Sequence, residues 1–364
     1  MKNDPRIILT LDAGGTNFLF SALQGGQETG IPVHLSTDSS DLDTCIGQLK
    51  HGFHEVIRQS GLQPAAISFA FPGPADYPNG ILGDLPNFPC FRGGVPLGPI
   101  LEEEFGVPVF INNDGDLFAY GEALAGALPY VNGRLEALGS SKRFRHLIGV
   151  TFGTGFGCGV VIDGHLLRGD NSSGGDLWCF RNPNFPHLII EESVSIRAVR
   201  RVYAERSGQT DELTPKDIFD IAEGLRPGDR QAARDSFAEL GAAAGEALAS
   251  AVTLVDGLIV IGGGLAGAAR YILPALMQRL DEQLSTFAGT TFPRLQMKPY
   301  CLEDETVWPA FAQGEERRIE VPGTSRILTY DTQKRIGVLL ARNSTSRSIS
   351  LGAWAFALHQ LGKK

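Results

Sequence analysis

The stretch Ile148-Gly-Val-Thr-Phe-Gly-Thr-Gly-Phe-Gly-Cys-Gly-Val-Val-Ile162 has apolar ends and a turn rich in glycine. The β-forming residues before Gly153 and after Gly159 predict a strand, a turn and a second strand. A turn with so few side chains lets backbone N–H groups approach an anion closely. It is not a Walker loop, because no Gly-Lys-Ser/Thr follows and the next element is a strand. A hairpin without a ligand has the same pattern, and this stretch alone does not separate the two interpretations.

A similar pattern occurs near the N-terminus. Residues 6–11 read as a buried strand, Asp12-Ala-Gly-Gly-Thr-Asn17 as a turn, and residues 18–23 as a second strand. An Asp at a strand end can face a ligand across the turn, or it can cap the turn through its own side chain. The two hairpins look like a distant internal repeat. Two lobes with such turns would enclose a nucleotide between them.

The composition is ordinary for a globular protein. The chain has 364 residues, of which 43% are hydrophobic and 20% charged, and its length suggests two domains. Its 45 glycines lie largely in clusters, which indicates tight turns rather than low complexity. The net charge of −9 disfavours nucleic acid or an anionic membrane as a general partner.

Cysteine usage and the N-terminal sequence predict a cytoplasmic protein. The five cysteines are scattered and form no CxxC pair, so they indicate neither a disulfide framework nor a zinc cluster. We expect no signal peptide, because a strand follows the first five residues directly. We also expect no apolar run long enough to cross a bilayer.

Helices and strands alternate along the rest of the chain. The spacing of apolar residues predicts helices over 42–59, 100–105, 117–127, 189–206, 215–225, 229–255, 270–287 and 350–361. Further strands are predicted over 66–71, 107–111, 258–261, 294–301, 317–321, 326–330 and 336–341. Residues 129–145 read as a polar connector.

A polar cluster follows one of these strands. Asn112-Asn-Asp-Gly-Asp116 comes between the strand at 107–111 and the next helix. Open α/β sheets bind their ligands at the carboxyl ends of strands, which makes this cluster a candidate site. The alternative is that Asp114 only caps the helix that follows.

An ordered set of motifs resembles the ROK family of bacterial sugar kinases and regulators. In chain order the motifs are Asp12-Ala-Gly-Gly-Thr16, Phe71-Pro-Gly-Pro74, Leu85-Pro-Asn-Phe-Pro89, Asn113-Asp114, Gly121-Glu122, Gly153-Thr-Gly-Phe-Gly157, Ile261-Gly-Gly-Gly264 and Leu351-Gly-Ala353. Each motif alone is weak, but their order along nearly the whole chain is specific. The resemblance implies an α/β, two-lobed, actin/hexokinase-like (ribonuclease H-like) ATPase fold with an interlobe cleft.

The resemblance also implies the reaction, which is ATP-dependent phosphorylation of a hexose hydroxyl. A sugar hydroxyl is a poor nucleophile, so the transfer needs a carboxylate to accept its proton. Asp114 resembles the family's catalytic base. Other positions resemble the residues that line the sugar pocket, although ordinary loop chemistry also accounts for some of them: Gly73, Asn87, Asn113, Asp176 and Glu191.

Three glycine-rich turns resemble the nucleotide-binding motifs of the family. Asp12 matches the residue that holds Mg²⁺ through water, and magnesium suits oxygen ligands with retained waters. The remaining ATP-binding positions implied by the resemblance are Gly14, Gly15 and Thr16, then Gly153, Thr154 and Gly155, and finally Gly262, Gly263 and Gly264.

The chain departs from the family pattern downstream of the second phosphate turn. Kinases of the family usually have a Glu and then Gly-His there, followed by a zinc-binding cysteine cluster. Here Asp176 stands in place of the Glu and Cys179 roughly in place of the His, and residues 182–190 contain no cysteine. We therefore expect no zinc, with His187 a surface or packed residue. Because Asp is shorter than Glu and the His is missing, we expect these changes to redirect the choice of sugar.

The resemblance predicts a small lobe of residues 1–115 with 346–364 and a large lobe of residues 116–345. Residues 302–334 look longer than usual and read as an added β-hairpin. Family resemblance alone predicts a homodimer. A DNA-binding ROK regulator is not expected, because only eleven residues precede Asp12.

Glucose is the default substrate, with fructose or an N-acetylhexosamine as alternatives. A protein that binds sugar or nucleotide without useful kinase activity is a second hypothesis, motivated by the altered residues at Asp176 and Cys179.

Overall fold

The computed structural model describes residues 3–13, 17–36, 40–61, 63–85, 88–209 and 211–362. The strands are β1 Ile7–Ala13, β2 Asn17–Gln24, β3 Gln27–Ser36, β4 Pro64–Ala70, β5 Ala75–Asp76, β6 Ile81–Leu82, β7 Val109–Asn112, β8 Leu147–Phe152, β9 Phe156–Ile162, β10 His165–Leu166, β11 Leu258–Gly262, β12 Gln283–Ser285, β13 Thr291–Pro293, β14 Lys298–Cys301, β15 Glu316–Glu320, β16 Ile327–Asp331 and β17 Arg335–Leu340. The helices are α1 Leu42–Ser60, α2 Leu97–Phe105, α3 Asp114–Ala125, α4 Ala127–Ala137, α5 Ile196–Ser207, α6 Pro215–Glu223, α7 Arg230–Val255, α8 Ala269–Leu280, α9 Trp308–Gln313 and α10 Thr345–Leu361.

The chain divides into two compact units. The first contains residues 1–126, 159–175 and 343–364, and the second contains residues 127–158 and 176–342. The first unit therefore reaches beyond the predicted segment 1–115, because α3 packs closely on α10. Glycines make this approach possible, since a Cβ at Gly121 would overlap the carbonyl of Ser348 and one at Gly352 would overlap that of Leu117.

Both large sheets share one strand order. The first has the order β3-β2-β1-β4-β7, with β1 and β2 antiparallel and β1, β4 and β7 parallel. The second has the order β10-β9-β8-β11-β17-β14, with β8, β11 and β17 parallel. Apart from the added β14, the second order repeats the first, in agreement with the predicted internal repeat.

Local sequence explains where helix α1 begins and ends. The Asp41 side chain accepts a hydrogen bond from the Thr44 N–H at 2.8 Å and caps the N-terminus. Gly61 ends the helix in the left-handed region, at φ 61°. The apolar side of α1 packs against the core face of the first sheet, with Phe53 fully buried against Phe20.

Helix α7 forms the core of the second unit. It packs against α5, α6 and α8. By length and composition it could cross a membrane, contrary to our expectation for the sequence, but most of its apolar window is buried within the protein. Buried core helices satisfy the same criterion. Gly241 lets the backbone of α8 come close, because a Cβ there would overlap the Ile272 carbonyl.

Three sequence-based element predictions are wrong in part. Residues 127–137 form a helix rather than a connector, with Leu128, Val131 and Leu135 buried at helical spacing. The helix predicted over 270–287 ends at Leu280, and β12 follows. The helix predicted over 189–206 is divided into a 3₁₀ turn, Ile190–Ser193, and α5, because Ser195 caps α5.

A hairpin of β15 and β16 occupies part of the segment 302–334. Its strands pair antiparallel from Glu316 with Asp331 to Glu320 with Ile327. All ten of its strand residues are exposed. Arg335 supports its base by donating to the Phe311 carbonyl and pairing with Asp331.

Candidate functional site

The candidate residues of the first unit lie at the carboxyl ends of three neighbouring parallel strands. Asp12 lies near the end of β1, Gly73 follows β4, and Asn113 and Asp114 follow β7. Strand order and direction therefore bring together residues that are about a hundred positions apart in the sequence. Four predicted positions, Gly14, Gly15, Thr16 and Asn87, lie outside the described residues.

Asn113, rather than Asp114, caps α3. The Asn113 side-chain oxygen accepts a hydrogen bond from the Gly115 N–H at 2.8 Å. Asp114 is the first helical residue, and its Oδ1 accepts from the same N–H at 2.9 Å. The alternative interpretation of Asp114 as the helix cap is therefore wrong. Its Oδ2 makes none of these hydrogen bonds.

The pKa of the Asp114 carboxyl is raised above its ordinary value. Removal of hydration by the surrounding protein is the main cause, and the negative charge of Asp12 acts in the same direction. The N–H groups of Gly115 and of Asp114 itself oppose the rise. Asp114 nevertheless keeps access to solvent. Its carboxylate can thus meet a ligand, and its raised pKa makes it a stronger proton acceptor than an ordinary Asp.

Asn112 begins the polar cluster predicted from the sequence, which assigned individual roles only to Asn113 and Asp114. It is fully buried, and neither its side-chain oxygen nor its nitrogen has a hydrogen-bond partner among the described residues. Buried amides are normally paired, so ordered water or a ligand would satisfy this one. By strand alternation Asn112 and Asp12 point to the same side of the sheet, opposite Leu11 and Ile111 of the apolar core.

The glycine residues of the second unit also meet at strand ends. β8 and β11 are parallel neighbours in which Thr151 is paired with Gly262. The turn Gly153–Gly155 and the run Gly262–Gly264 follow these two strands directly. The Gly153 N–H donates to the Gly155 carbonyl at 3.1 Å and closes the turn.

An apolar cavity of about 250 Å³ adjoins Gly264. Pro215, Lys216 and Phe219 of α6 form one wall. The other walls are Phe237 of α7 and the segment after β11, with Leu265 and Ala268. Sequence reasoning singled out only Gly264 of this set, because the wall residues are separated by up to about fifty positions and have no common motif.

Glu191 lies against the glycine turn. Its Oε2 accepts a hydrogen bond from the Phe156 N–H at 2.9 Å. A Cβ at Gly155 would be 2.5 Å from the same oxygen, so only glycine leaves room for this contact. The structure therefore brings Glu191 together with the predicted phosphate turn, although 35 residues separate Phe156 from it.

Asp176 directly precedes a short 3₁₀ turn, Leu177–Cys179, and Cys179 is the last residue of that turn. The Cys179 thiol donates to the backbone carbonyl of Asp176 at 3.0 Å. Partial burial raises the pKa of the Asp176 carboxyl, and a hydrogen bond with the Trp178 side chain opposes this shift. The turn is tied to the Glu191 segment, because the Ile190 N–H donates to the Phe180 carbonyl at 2.7 Å.

Asn182 organises the loop in which the family pattern has zinc-binding cysteines. It is fully buried, and its Nδ2 donates to the Ser193 hydroxyl at 2.7 Å. Its Oδ1 accepts from the N–H groups of Asn184 and Phe185. Within the part of the chain that the structure describes, no three His, Cys, Asp or Glu side chains are grouped as metal ligands. His187 is exposed.

Replacing Asn182 with Ala is expected to destabilise the protein. The Ser193 hydroxyl and two backbone N–H groups would lose their buried partner, which costs about 1–3 kcal/mol. Urea unfolding should show the midpoint moving to lower concentration. Asn184→Ala is the control, because Asn184 is exposed and bonds to Asn182 only through its backbone. Equal midpoints for the two variants would contradict this role of Asn182.

Comparison with known proteins identifies the family. The sequence matches the ROK family model over residues 8–300. The chain belongs to the ROK family. A glucokinase from Parabacteroides distasonis, known from a crystal structure, is 57% identical, with a TM-score of 0.90 and coverage of 98% of this chain and 99% of that one.

Two further relatives are more distant. The glucokinase of Thermotoga maritima is 28% identical over 315 residues, which are 78% of this chain and 90% of that protein. A ROK family glucokinase from Streptomyces griseus, solved in complex with glucose and AMPPNP, is 19% identical. Its TM-score is 0.60, with coverage of 96% of this chain and 98% of that one, and it shows the fold alone. The predicted actin/hexokinase-like α/β fold is confirmed.

Proposed function

We propose that this ROK protein is a hexose kinase that transfers the γ-phosphoryl group of ATP to a sugar hydroxyl. The observation that carries the proposal is the setting of the Asp114 carboxylate. Asn113 rather than Asp114 caps the helix, the pKa of the Asp114 carboxyl is raised, and the negative charge of Asp12 contributes to this rise. The similarity to glucokinases, extending to 57% identity over nearly the whole chain, supports the same reaction.

Asp114 is the general base in this proposal. The sugar hydroxyl gives its proton to an Asp114 carboxylate oxygen while the hydroxyl oxygen forms a bond to the γ-phosphorus. The bond from that phosphorus to the β–γ bridging oxygen breaks, and ADP leaves with the electron pair. Asn113 fixes the start of α3 and therefore the direction of the Asp114 side chain, which is the positioning that such a transfer requires.

Magnesium suits the oxygen atoms of the first unit. Asp12 offers a hard carboxylate, and its charge already acts on Asp114. A bound Mg²⁺ would neutralise phosphate charge, and Asp12 would hold it through water. The buried amide of Asn112 could orient one of these waters, because its polar atoms lack partners among the described residues.

Nucleotide binding is assigned to glycine-rich turns in both units. As the family resemblance implies, Gly14, Gly15 and Thr16, and then Gly153, Thr154 and Gly155, would contribute backbone N–H groups to phosphate binding. Gly262, Gly263 and Gly264 let adenosine lie against backbone. The apolar cavity beside Gly264 has the size and lining to take a purine base between α6 and Leu265.

Glucose is the substrate we assign first, with fructose or an N-acetylhexosamine as the alternatives. Five residues besides Asp114 would pair with or border the sugar: Gly73, Asn87, Asn113, Asp176 and Glu191. Of these, Glu191 has the best-defined setting, since one backbone N–H and one arginine fix its two oxygens. A homodimer, expected from the family resemblance, and a cytoplasmic location, expected from the cysteine usage and the N-terminal sequence, complete the proposal.

A coupled assay of ADP release tests the proposal. The wild-type protein should turn over ATP in the presence of glucose, and less efficiently with fructose or N-acetylglucosamine. Omission of Mg²⁺ should abolish turnover. The kinase assignment fails if none of these sugars raises ADP release above the rate without sugar.

A sugar- or nucleotide-binding protein without useful kinase activity is the second candidate. The observation that favours it is the replacement of the family's Glu by Asp176, whose side chain is exposed. Calorimetry that finds tight sugar binding together with no ADP release would favour this candidate over the kinase.

A further inference from the structure

Arg197 in the first turn of α5 contacts the phosphate turn and two carboxylates at once. Its Nη1 donates to the Thr154 carbonyl at 3.1 Å. Its Nη2 donates to Glu191 at 3.1 Å and to Glu192 at 2.8 Å. A guanidinium is a rigid, planar fork, so these partners keep a fixed arrangement while all the contacts are made.

Two hydrogen bonds donated by backbone N–H groups join the same segments. The Ile196 N–H donates to the Gly153 carbonyl at 2.8 Å, next to Arg197. On the other side, the Phe156 N–H donates to Glu191 at 2.9 Å. The turn is therefore fixed to the start of α5 before Gly155 and to Glu191 after it. A movement of the carboxylate would be transmitted to the turn.

Glu191 keeps acceptor capacity for a ligand in this arrangement. Its Oε1 accepts from Arg197 and its Oε2 from the Phe156 N–H. An ionised carboxylate has about four acceptor positions, so roughly two remain for hydroxyl groups. These hydrogen bonds orient the carboxylate, and Arg197 is the one partner in the set that also reaches the turn through its side chain.

We infer that Arg197 is a positioning residue that couples hexose binding at Glu191 to phosphate binding at Gly153–Gly155. The inference rests on the proposed function and assigns Arg197 no direct contact with either substrate. Bound hexose restrains the Glu191 carboxylate. Arg197 transmits this restraint to the turn through its hydrogen bond with the Thr154 carbonyl. By linkage, the nucleotide must strengthen hexose binding by the same factor as hexose strengthens nucleotide binding.

Calorimetry measures this coupling directly. The dissociation constant of glucose is determined with and without a non-hydrolysable ATP analogue, in the presence of Mg²⁺. For the wild type we expect the analogue to tighten glucose binding by at least about fivefold. For Arg197→Gln we expect the ratio of the glucose dissociation constants without and with the analogue to fall close to one. Arg197→Lys should lie between them, because one ammonium cannot reproduce the planar fork.

Arg201→Gln is the matched control. Arg201 lies one turn further along α5, where it pairs with the exposed Glu205 and lies over the Phe185 ring, away from Thr154 and Glu191, so its loss should leave the ratio unchanged. Thermal melting checks that each variant is folded. Gly155→Ala gives a second route if Arg197→Gln is not folded, because its Cβ would displace the Glu191 carboxylate while the Arg197 side chain is kept, and it should also remove the coupling.

Several outcomes overturn the inference. They are a wild-type ratio of one, an undiminished ratio in the folded Arg197→Gln or Gly155→Ala variant, and an equal loss in Arg201→Gln. Failure of the proposed function looks different, because the wild type would then release no ADP with any hexose. A wild type that turns over glucose while Arg197→Gln keeps its full coupling leaves the kinase intact and rejects only Arg197.

Discussion

Replacing Asp114 with Asn is expected to lower kcat by a factor of roughly 10²–10⁴, the usual contribution of a general base. The amide keeps the size of the side chain and can still accept the hydrogen bond from the Gly115 N–H. It cannot take a proton from the sugar hydroxyl. Binding of glucose and of an ATP analogue should therefore remain measurable by calorimetry while ADP release is lost.

The pH dependence follows from the raised pKa of Asp114. The base must be ionised, so kcat/KM should fall on acidification through a pKa above the ordinary Asp value of about 3.9. The stability of the wild type should also depend on the ionisation of Asp114. A carboxyl whose pKa is raised in the folded state destabilises the fold when ionised, and this cost disappears below the unfolded-state pKa.

Asp114→Asn should therefore melt at the same or a higher temperature than the wild type at pH 7, and this difference should shrink towards pH 4. Asp43→Asn is the control, because Asp43 is an exposed Asp in the first turn of α1, as Asp114 is in the first turn of α3. A folded Asp114→Asn variant with full turnover would remove Asp114 from the mechanism.

Local sequence patterns predicted the elements that carry the site. Both glycine-rich hairpins follow from β-forming residues on either side of a glycine turn, and α1 follows from its apolar spacing and Gly61. The polar cluster after β7 was recognised because polar residues directly follow an apolar strand. These are short-range signals, and tertiary packing did not override them.

Contacts between distant segments could not be predicted in the same way. Asn113 and Asp114 are equally good capping residues by type, and only backbone geometry decides that Asn113 is the cap. Asn182 holds its loop by hydrogen bonds to Ser193 and to the loop backbone, and no sequence motif marks such a set. The role of Arg197 cannot be recognised from the sequence, because it depends on α5 lying beside the turn at Gly153–Gly155.

The glycines after β11 show both what the sequence predicts and what only the structure reveals. The sequence marked Gly262, Gly263 and Gly264 as one motif and gave no reason to treat them differently. In the structure Gly263 has φ 88° and ψ 165°, a region that other residues rarely adopt. A Cβ there would also overlap the backbone of Phe152, on the neighbouring strand β8. A Cβ on Gly264 would meet no atom within 4 Å.

Gly263→Ala is therefore expected to be strongly destabilising. Backbone strain costs roughly 1–3 kcal/mol. Overlap with a backbone that cannot turn away adds about 1–3 kcal/mol. Gly264→Ala lacks both penalties and should unfold close to the wild-type urea concentration, which makes it the matched control for stability.

The position of Gly263 gives this substitution a second effect. Relief of the overlap requires the end of β11 to move away from Phe152, which directly precedes the proposed phosphate turn at Gly153. The folded fraction of Gly263→Ala should therefore bind an ATP analogue more weakly, whereas its affinity for glucose alone should change less. Equal urea midpoints for the two alanine variants would show that the end of β11 can shift freely. The close approach of the two strands would then not be what requires glycine at this position.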